Sequence, residues 1–493
     1  MQPQGTENLK SKALSGSIWS LIETFSTQIV QFIVGVILAR ILGPKDYGLI
    51  ALTGIFTAVS MAITDAGFEK TLVQKKDLTS IQTTTIFYIN ILLGLFITLV
   101  FVLLAPFIAT FFNEPKLTTV LQVVSTGILI TAFGQTQQAL LIKELQLKKI
   151  SYSKIASSLV SAVVGLVLAY NGFGVWALVF SGLSYQVVNV LFFWIQATWY
   201  PQLKFSYASV KAMIPYGMNI LASSIFFFLN QQFNNFIVGK YYTKEQLGLF
   251  NRGNKFPDLI VSVIQSVVLK MTLPLFAKLQ DEPERLREAV KKTDKVIAFV
   301  SFPLLILLLV KAEDVTIFLF TEKWRGSIIF LQLFCVVKLF EPFITVQREL
   351  LLSQGKAKLL LKIFVVTSLA EMALIFAVIR FDIIYVVLAS LISRAGQYLT
   401  YLILASKRLN ANWLDEMKWL RPYIFITAVM SGVVLLADYA LHLSGIHIPL
   451  FVKLAVELGL GVASYAFLAY KFKIDEVSLV NAAIEMVLKK FKK

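Results

Sequence analysis

Charged side chains interrupt an apolar segment around residue 340, and their spacing could hold an anion inside a membrane. Glu341, Thr345 and Arg348 recur at i, i+4 and i+7, which places them on one face of a helix. Lys338 precedes Glu341 by three residues, so the two can pair on that helix. A charge at the bilayer centre costs about 2.5–3.5 kcal/mol on insertion scales, so it usually faces a cavity or a partner. The pattern predicts either neutralised pairs that fix helix packing or a cationic binding site.

Three groups of polar side chains within apolar segments are candidates for a transport path. The cations expected to meet an anionic ligand are Arg348, Lys338, Lys270 and Arg252. Amides either bond neighbouring helices or line a wet passage, and the candidates for a polar path are Gln31, Asn230, Gln231, Asn234 and Gln138. A buried carboxylate can hold a proton at neutral pH, so the candidates for coupling to H+ or Na+ are Glu23, Glu341 and Asp65. Lys453 and Glu457 are spaced i, i+4 and are expected to form a structural pair.

The sequence carries no signature of an enzyme or of a metal site. It lacks the G-x-x-x-x-G-K-[ST] phosphate loop of ATP-hydrolysing proteins. It also lacks an Asp-x-Asp pair that would hold a metal with a nucleotide sugar. The two histidines, His442 and His447, have no further ligand-type neighbours, and the single Cys335 excludes an intramolecular disulfide. We therefore predict a non-enzymatic protein with no cofactor and no metal.

The elements that position these residues are predicted to be membrane-spanning helices. The chain has 493 residues, is 57% hydrophobic and is only 15% charged, against about 25% charged in soluble proteins. Apolar runs long enough to cross about 30 Å of hydrocarbon recur throughout. About fourteen are counted: 17–39, 47–66, 83–109, 117–141, 152–170, 174–198, 212–238, 256–278, 296–310, 325–350, 358–379, 382–405, 422–442 and 448–470. The fold class is predicted to be an all-α polytopic membrane protein, in which the first run is a retained span because no cleavage site follows it.

The basic residues predict the orientation of these spans. The net charge is +17, and most of the Lys and Arg fall on the segments that face the cytoplasm if the N-terminus lies inside. This bias is the positive-inside rule, so both termini are predicted to be cytoplasmic. The basic excess indicates anionic lipid headgroups as partners and argues against nucleic acid. The connection 279–295 is predicted to be a cytoplasmic amphipathic helix, and the basic tail 471–493 an amphipathic helix on the inner membrane surface.

Three short matches in the same order indicate an internal repeat. Phe32-Ile33-Val34-Gly35 matches Phe236-Ile237-Val238-Gly239, Tyr47-Gly48-Leu49 matches Leu247-Gly248-Leu249, and Gln137 to Leu141 matches Gln347 to Leu351. Each copy contains six predicted spans, so the copies keep the same orientation and form a parallel repeat. We predict a first lobe over 1–200, a second lobe over 201–408, and two further spans with the tail over 409–493. Arg348 aligns with Gln138, so the second copy carries a charge where the first carries an amide.

The sharpest motifs of the chain resemble those of a known family. They are the run from Leu38 to Leu49 (LARILGPKDYGL), Asp65 to Phe68 (DAGF) with Gln74, and Leu247 to Arg252 (LGLFNR) in the second copy. They look like the signature of polysaccharide-type flippases, the Wzx and WzxC-like branch of the multidrug/oligosaccharidyl-lipid/polysaccharide (MOP) exporter superfamily.

This resemblance implies a fold, an activity and partners. The fold would be two six-helix lobes in a V around a central cationic cavity, as in the MATE and MurJ transporters, with two C-terminal helices added. The activity would be alternating-access translocation of an undecaprenyl-pyrophosphate-linked oligosaccharide across a bacterial inner membrane, for O-antigen, capsule or exopolysaccharide. A glycan polymerase or export machinery would be a further partner.

Two other functions remain open at the level of sequence. A cation-coupled multidrug or small-molecule antiporter would have an acidic cavity, and the Lys and Arg of the tenth span argue against it. A membrane glycan polymerase or ligase would carry a long outer loop with catalytic residues, whereas the longest predicted loop here lies on the inside.

Overall fold

The protein is described from a computed structural model that covers residues 4–64, 72, 79–207, 226–444 and 448–478. Long apolar stretches fold into helices because a helix satisfies every backbone donor and acceptor within one segment. The first helices, in chain order, are α1 (Gln4–Ile41), α2 (Pro44–Thr64), α3 (Ser80–Phe111), α4 (Lys116–Lys143), α5 (Leu147–Tyr170), α6 (Val175–Ile195) and α7, described over 226–241.

The remaining helices follow without long interruption. They are α8 (Lys244–Lys278), α9 (Pro283–Val310), α10 (Ala312–Phe320), α11 (Ile328–Leu339), α12 (Glu341–Ser353), α13 (Ala357–Val378), α14 (Ile383–Arg408), α15 (Trp413–Lys418), α16 (Arg421–Leu443) and α17 (Leu450–Lys471), with a 3-10 segment over Glu322–Ser327. The described residues beyond α17 end at 478, so most of the predicted basic tail lies outside the described part.

The helices have the length and surface of membrane spans. Within the described ranges, 12 helical segments are long and apolar enough to cross a membrane. The described parts of the predicted spans 47–66 and 212–238 fall on α2 and α7, which are not among those 12, while 65–66 and 212–225 lie outside the described residues. Apolar side chains cover the outer faces: on α3, Phe96, Leu103 and Phe107 expose 63%, 63% and 73% of their surface. Such a surface fits lipid and not water, which confirms the predicted all-α polytopic membrane class.

The chain divides into two compact units, Met1–Gly248 and Leu249–Lys493, so the boundary falls inside α8. In the first unit, α3 packs on α4, α5 packs on α1 and α6, and α4 packs on α6. In the second unit, α9 packs on α11 and α16, α12 and α13 pack on α14, and α16 packs on α17. The predicted lobes 1–200, 201–408 and 409–493 stay a prediction.

Two glycines of the internal repeat let the first turns of α2 and α8 cross at backbone contact, within the first unit. A Cβ built on Gly48 would lie 1.7 Å from the carbonyl oxygen of Lys244. A Cβ built on Gly248 would lie 2.0 Å from the carbonyl oxygen of Pro44. Both distances are far below van der Waals contact, so only glycine fits at either position. The contact is reciprocal, as expected where two copies of one motif meet.

Two helices of the second unit differ from those predicted from the sequence. The sequence predicts a separate amphipathic helix over 279–295, but the structure continues it into the ninth span as the single helix α9. No helix-breaking residue lies between Pro283 and the apolar run, so the helical hydrogen bonds continue through. The predicted span 325–350 is instead interrupted at Phe340, between α11 and α12. Pro342 has no N–H to donate to the preceding turn, which accounts for the break.

Candidate functional site

The helix α8 runs parallel to α11 and α12, in a fixed register, along what we call the α8/α12 seam. Three contacts follow the same order along both sides of the seam: Gly253 with Phe330, Asp258 with Lys338, and Gln265 with Thr345, the last two with the same spacing on each side. A Cβ on Gly253 would lie 2.5 Å from the Cβ of Phe330, so glycine permits the close approach. Further along, Gln265 Nε2 donates to Thr345 Oγ1 at 3.0 Å. All these residues belong to the second unit.

Lys338 lies at the break between α11 and α12 and is held by two carboxylates. Its Nζ is 2.8 Å from Asp258 Oδ1 and 2.9 Å from Glu341 Oε1, and the residue is 9% exposed. The predicted pair with Glu341 is confirmed. Asp258 is a second partner that sequence reasoning missed, because it lies 80 residues away along the chain. The ammonium of Lys338 is therefore neutralised by groups of the protein itself.

Two other cations, on the helices α12 and α8, have exposed side chains. Arg348 Nη2 is 3.2 Å from Glu349 Oε1, but the Arg348 side chain keeps 45% of its surface exposed. Lys270 is also exposed, and within the described residues no carboxylate lies close enough to pair with it. Lys270 follows Gln265 by five residues, and Arg348 follows Thr345 by three. Because Gln265 and Thr345 are in contact and a helix rises about 1.5 Å per residue, Lys270 and Arg348 lie at positions along the helix axes that differ by about 3 Å. The helices α8 and α12 thus each carry an exposed cation at nearly the same depth.

Arg252, the fourth predicted cation, lies near the start of the seam in an aromatic environment. Its guanidinium carbon is 3.7 Å from the ring centre of Phe320 and 5.5 Å from that of Trp324, and the residue is 8% exposed. A guanidinium over an aromatic face is attracted by the ring quadrupole. Arg252 is therefore packed into the second unit and fixes α8 against the segment that follows α9.

The predicted polar residues of the first unit and of α7 are less closely grouped. Glu23 of α1 lies 3.5 Å from Lys154 of α5 and is thus paired with a cation. Gln31 is exposed, Gln138 is half-buried, and Asp65 lies outside the described residues. In α7, Gln231 is exposed while Asn230 and Asn234 are half-buried. The structure does not bring these residues into a single site within the first unit.

A second cluster of charges, which sequence reasoning missed, surrounds Lys311 at the end of α9. Its Nζ lies 2.8 Å from Asp314, 3.0 Å from Asp438 and 2.7 Å from Glu457, and its side chain is only 1% exposed. The three carboxylates converge closely enough to suit a cation, and the ammonium of Lys311 fills that role.

The predicted pair between Lys453 and Glu457 is wrong. Lys453 Nζ instead meets Asp438 at 2.7 Å and Asp314 at 3.3 Å. Burial explains why the partners differ from the prediction. The Glu457 side chain is 0% exposed and pairs with the buried ammonium of Lys311, whereas the side chain of Lys453 lies at the more exposed edge of the cluster. The signal in the sequence was the run Lys311 to Asp314, whose i, i+3 spacing favours a pair.

Comparison with known proteins identifies the family. The family described as "polysaccharide biosynthesis protein" matches residues 37–329, more than half of the chain. The chain belongs to this family. The lipopolysaccharide biosynthesis protein WzxC of Escherichia coli K12 is 28% identical over 338 residues, covering 67% of this chain and 68% of WzxC. The teichuronic acid biosynthesis protein TuaB of Bacillus subtilis 168 is 26% identical over 483 residues, covering 94% of this chain and 96% of TuaB.

The fold has a solved counterpart. The lipid II flippase MurJ, in an inward closed conformation, superimposes with a TM-score of 0.72 at 15% identity, covering 93% of this chain and 99% of MurJ. The predicted resemblance to WzxC and its family is confirmed, as is the MurJ-like fold. The chain is a multi-pass membrane protein with bacterial relatives.

Proposed function

We propose that this family member translocates a lipid-linked oligosaccharide with a pyrophosphate headgroup, such as an undecaprenyl-pyrophosphate-linked repeat unit, across the bacterial cytoplasmic membrane. The movement runs from the cytoplasmic to the outer leaflet by alternating access and serves the biosynthesis of a surface polysaccharide. The names of WzxC, TuaB and the flippase MurJ support this class of substrate. The basic excess of the sequence supports cytoplasmic termini.

The main support for this proposal is that two exposed cations, Arg348 on α12 and Lys270 on α8, lie at nearly the same depth. A pyrophosphate carries several negative charges and several acceptor oxygens, so two cations at nearly the same depth suit it. Arg348 supplies a planar fork of donors, and Lys270 supplies a compact point charge. These two residues are assigned to contact the headgroup.

Lys338 and Arg252 are assigned supporting positions. Lys338 is occupied by Asp258 and Glu341, so it fixes the break between α11 and α12. Interrupted membrane helices are a common feature of transporter binding sites, because the break frees polar backbone groups near the substrate. Arg252 fixes the start of α8 through its aromatic contacts. The amides Gln31, Gln138, Asn230, Gln231 and Asn234 are assigned to the sugar path, since amides suit sugar hydroxyls.

The direct test is reconstitution of the purified protein into liposomes with a fluorescent lipid-pyrophosphate oligosaccharide. Wild type is expected to expose the label to an outside quencher or glycosidase, and Arg348→Gln and Lys270→Gln are each expected to slow this strongly. Arg325→Gln is the matched control, because Arg325 is 58% exposed and pairs with Glu313 and Glu322 away from the seam.

The alternative functions make different predictions in the same liposomes. A multidrug antiporter would move small organic cations and leave the lipid where it is. A polymerase or ligase would lengthen or transfer the glycan without moving it. Either outcome would replace the proposed function.

A further inference from the structure

One buried acid of the second unit lacks the partner that every comparable acid has. Among the described residues, four buried glutamates lie within 4 Å of a basic side chain: Glu349 with Arg348, Glu371 with Arg394, Glu416 with Arg287, and Glu457 with Lys311. A fifth, Glu476, accepts from the hydroxyl of Tyr423. Asp294 of α9 is equally buried, at 6% exposed, and it meets neither a cation nor a hydroxyl in the described part of the chain.

Among the residues that the structure describes, the Asp294 carboxyl accepts its one hydrogen bond from a neutral amide. Gln347 Nε2 of α12 donates to Asp294 Oδ2 at 3.0 Å, and both residues are buried. The other oxygen, Oδ1, is buried without a hydrogen-bond partner. The surrounding core is apolar, with Ile297 and Ala298 on α9 and Val346 and Leu350 on α12. An ionised carboxylate in such a place loses its hydration without compensation.

The charged groups nearby do not neutralise Asp294. Glu416 of α15 acts on it with a like charge, and Glu416 is itself bound by Arg287 at 2.9 Å. Tyr398 of α14 faces it as a buried neutral phenol. From α16, the buried residues are Ile426, Met430 and Val434, together with Thr427 and with Tyr423, whose hydroxyl donates to Glu476. The neighbouring Lys295 pairs with Asp475 instead, at 3.8 Å.

The first repeat has a buried neutral residue at a comparable place, although its hydrogen bond runs to a different partner. Asn90 on α3, the third helix of the first copy, is 1% exposed and donates to Thr136 Oγ1 of α4 at 3.5 Å. Thr136 directly precedes Gln137, which the repeat matches to Gln347. Asn90 and Thr136 are 46 residues apart in the first copy, and Asp294 and Gln347 are 53 residues apart in the second. Asn90 also keeps a buried oxygen without a partner, which an uncharged amide tolerates better than a carboxylate does.

We propose that Asp294 is a proton-binding site, neutral in the state seen here, and that it exchanges this proton during the transport cycle. The bound proton makes the carboxyl group equivalent to the amide of Asn90. Release transfers the proton from the carboxyl oxygen to water when a rearrangement of α9 against α12 admits water to the pair Asp294–Gln347. The coupling part of the proposal rests on the proposed function, whereas the bound proton does not.

The bound proton is tested by infrared spectroscopy of the purified protein at neutral pH. A protonated carboxyl group has a C=O band distinct from those of carboxylates, and its frequency shifts in D2O. Wild type is expected to show such a band, Asp294→Asn to lose it, and Glu457→Gln to keep it, because Glu457 is paired with Lys311. An identical spectrum for wild type and Asp294→Asn would overturn the proposal.

The coupling is tested by the rate of lipid translocation in liposomes with and without a proton gradient. We expect a several-fold acceleration by the gradient in wild type and none in Asp294→Asn, with Glu457→Gln responding as wild type does. A gradient response that survives in Asp294→Asn would overturn the coupling.

Asp294→Asn keeps the shape of the side chain, and its unfolding temperature is expected to equal or exceed that of wild type. A marked fall in that temperature would show that Asp294 is a structural carboxylate and would also overturn the proposal.

If wild type moves no lipid at all, the infrared experiment still decides about the proton. A carboxyl band that depends on Asp294 would then sustain the proton site while the proposed function fails. The two proposals can therefore fail separately.

Discussion

Lys311 and Lys338 are both lysines enclosed by carboxylates in the second unit, yet the two clusters differ in what they leave accessible. Lys311 meets three carboxylates from α10, α16 and α17 and exposes 1% of its side chain. Lys338 meets two, of which Asp258 remains 51% exposed. The first cluster is closed and connects helices. The second lies at a helix break, a few turns from the exposed Arg348.

From this difference we infer that a charge within a membrane span indicates function only when some of the groups around it remain exposed. Buried ion pairs contribute little net stability, but removing one partner leaves an uncompensated charge. The Lys311 cluster should therefore respond to mutation mainly in stability, and the α8/α12 seam mainly in transport.

The largest expected effect on stability is that of Lys311→Met. Removing the ammonium leaves three converging carboxylates, two of which retain Lys453 as a partner while Glu457 retains none in the described structure. Loss of one partner of a buried pair costs about 3–5 kcal/mol. The unfolding temperature in detergent is expected to fall sharply, whereas the control Lys358→Met, at an exposed position, should leave it unchanged. An unchanged unfolding temperature for Lys311→Met would remove the contrast between the clusters.

A smaller loss of stability is expected for Lys338→Met. Its two carboxylate partners are 51% and 20% exposed, so solvent or headgroups can compensate them in part, and we expect about 1 kcal/mol. Transport should fall by more than this loss explains, because the break between α11 and α12 loses its tie to α8. Unfolding and translocation measured on one preparation separate the two effects. Equal losses of stability for Lys338→Met and Lys311→Met would contradict the distinction.

The smallest effect on stability is expected for Arg348→Gln. Its side chain is 45% exposed, and the amide of the introduced glutamine can still donate a hydrogen bond to the buried Glu349, so we expect a loss below about 1 kcal/mol. Export of surface glycan in cells should nevertheless fall strongly at normal protein abundance, since the headgroup loses a forked donor. Normal export with normal abundance would remove Arg348 from the site.

Local features of the structure follow from the sequence, whereas long-range pairs do not. The apolar runs predict the helices, and i, i+3 spacing predicts the pair of Lys338 with Glu341. The same reasoning misassigned Lys453 and Glu457, because a buried lysine from another helix competes for the glutamate. Asp258 and Lys338 are 80 residues apart, and no local rule connects them.

Asp294 was missed for a different reason. The polar, helical spacing of 279–295 suggests a surface helix, and a charge there needs no explanation. Only the continuity of α9 and its packing against α12 show that the carboxyl is enclosed. The break at Pro342 was also missed, although the sequence carries its signal, since proline within a helical run removes a backbone donor.

The most direct measurement is translocation of a fluorescent lipid-pyrophosphate oligosaccharide in liposomes by wild type and by the double variant Arg348→Gln/Lys270→Gln. We predict that wild type moves the lipid and that the double variant, equally folded by its unfolding temperature, loses most of that activity. Full translocation by the double variant would show that the exposed cations of the α8/α12 seam do not hold the headgroup.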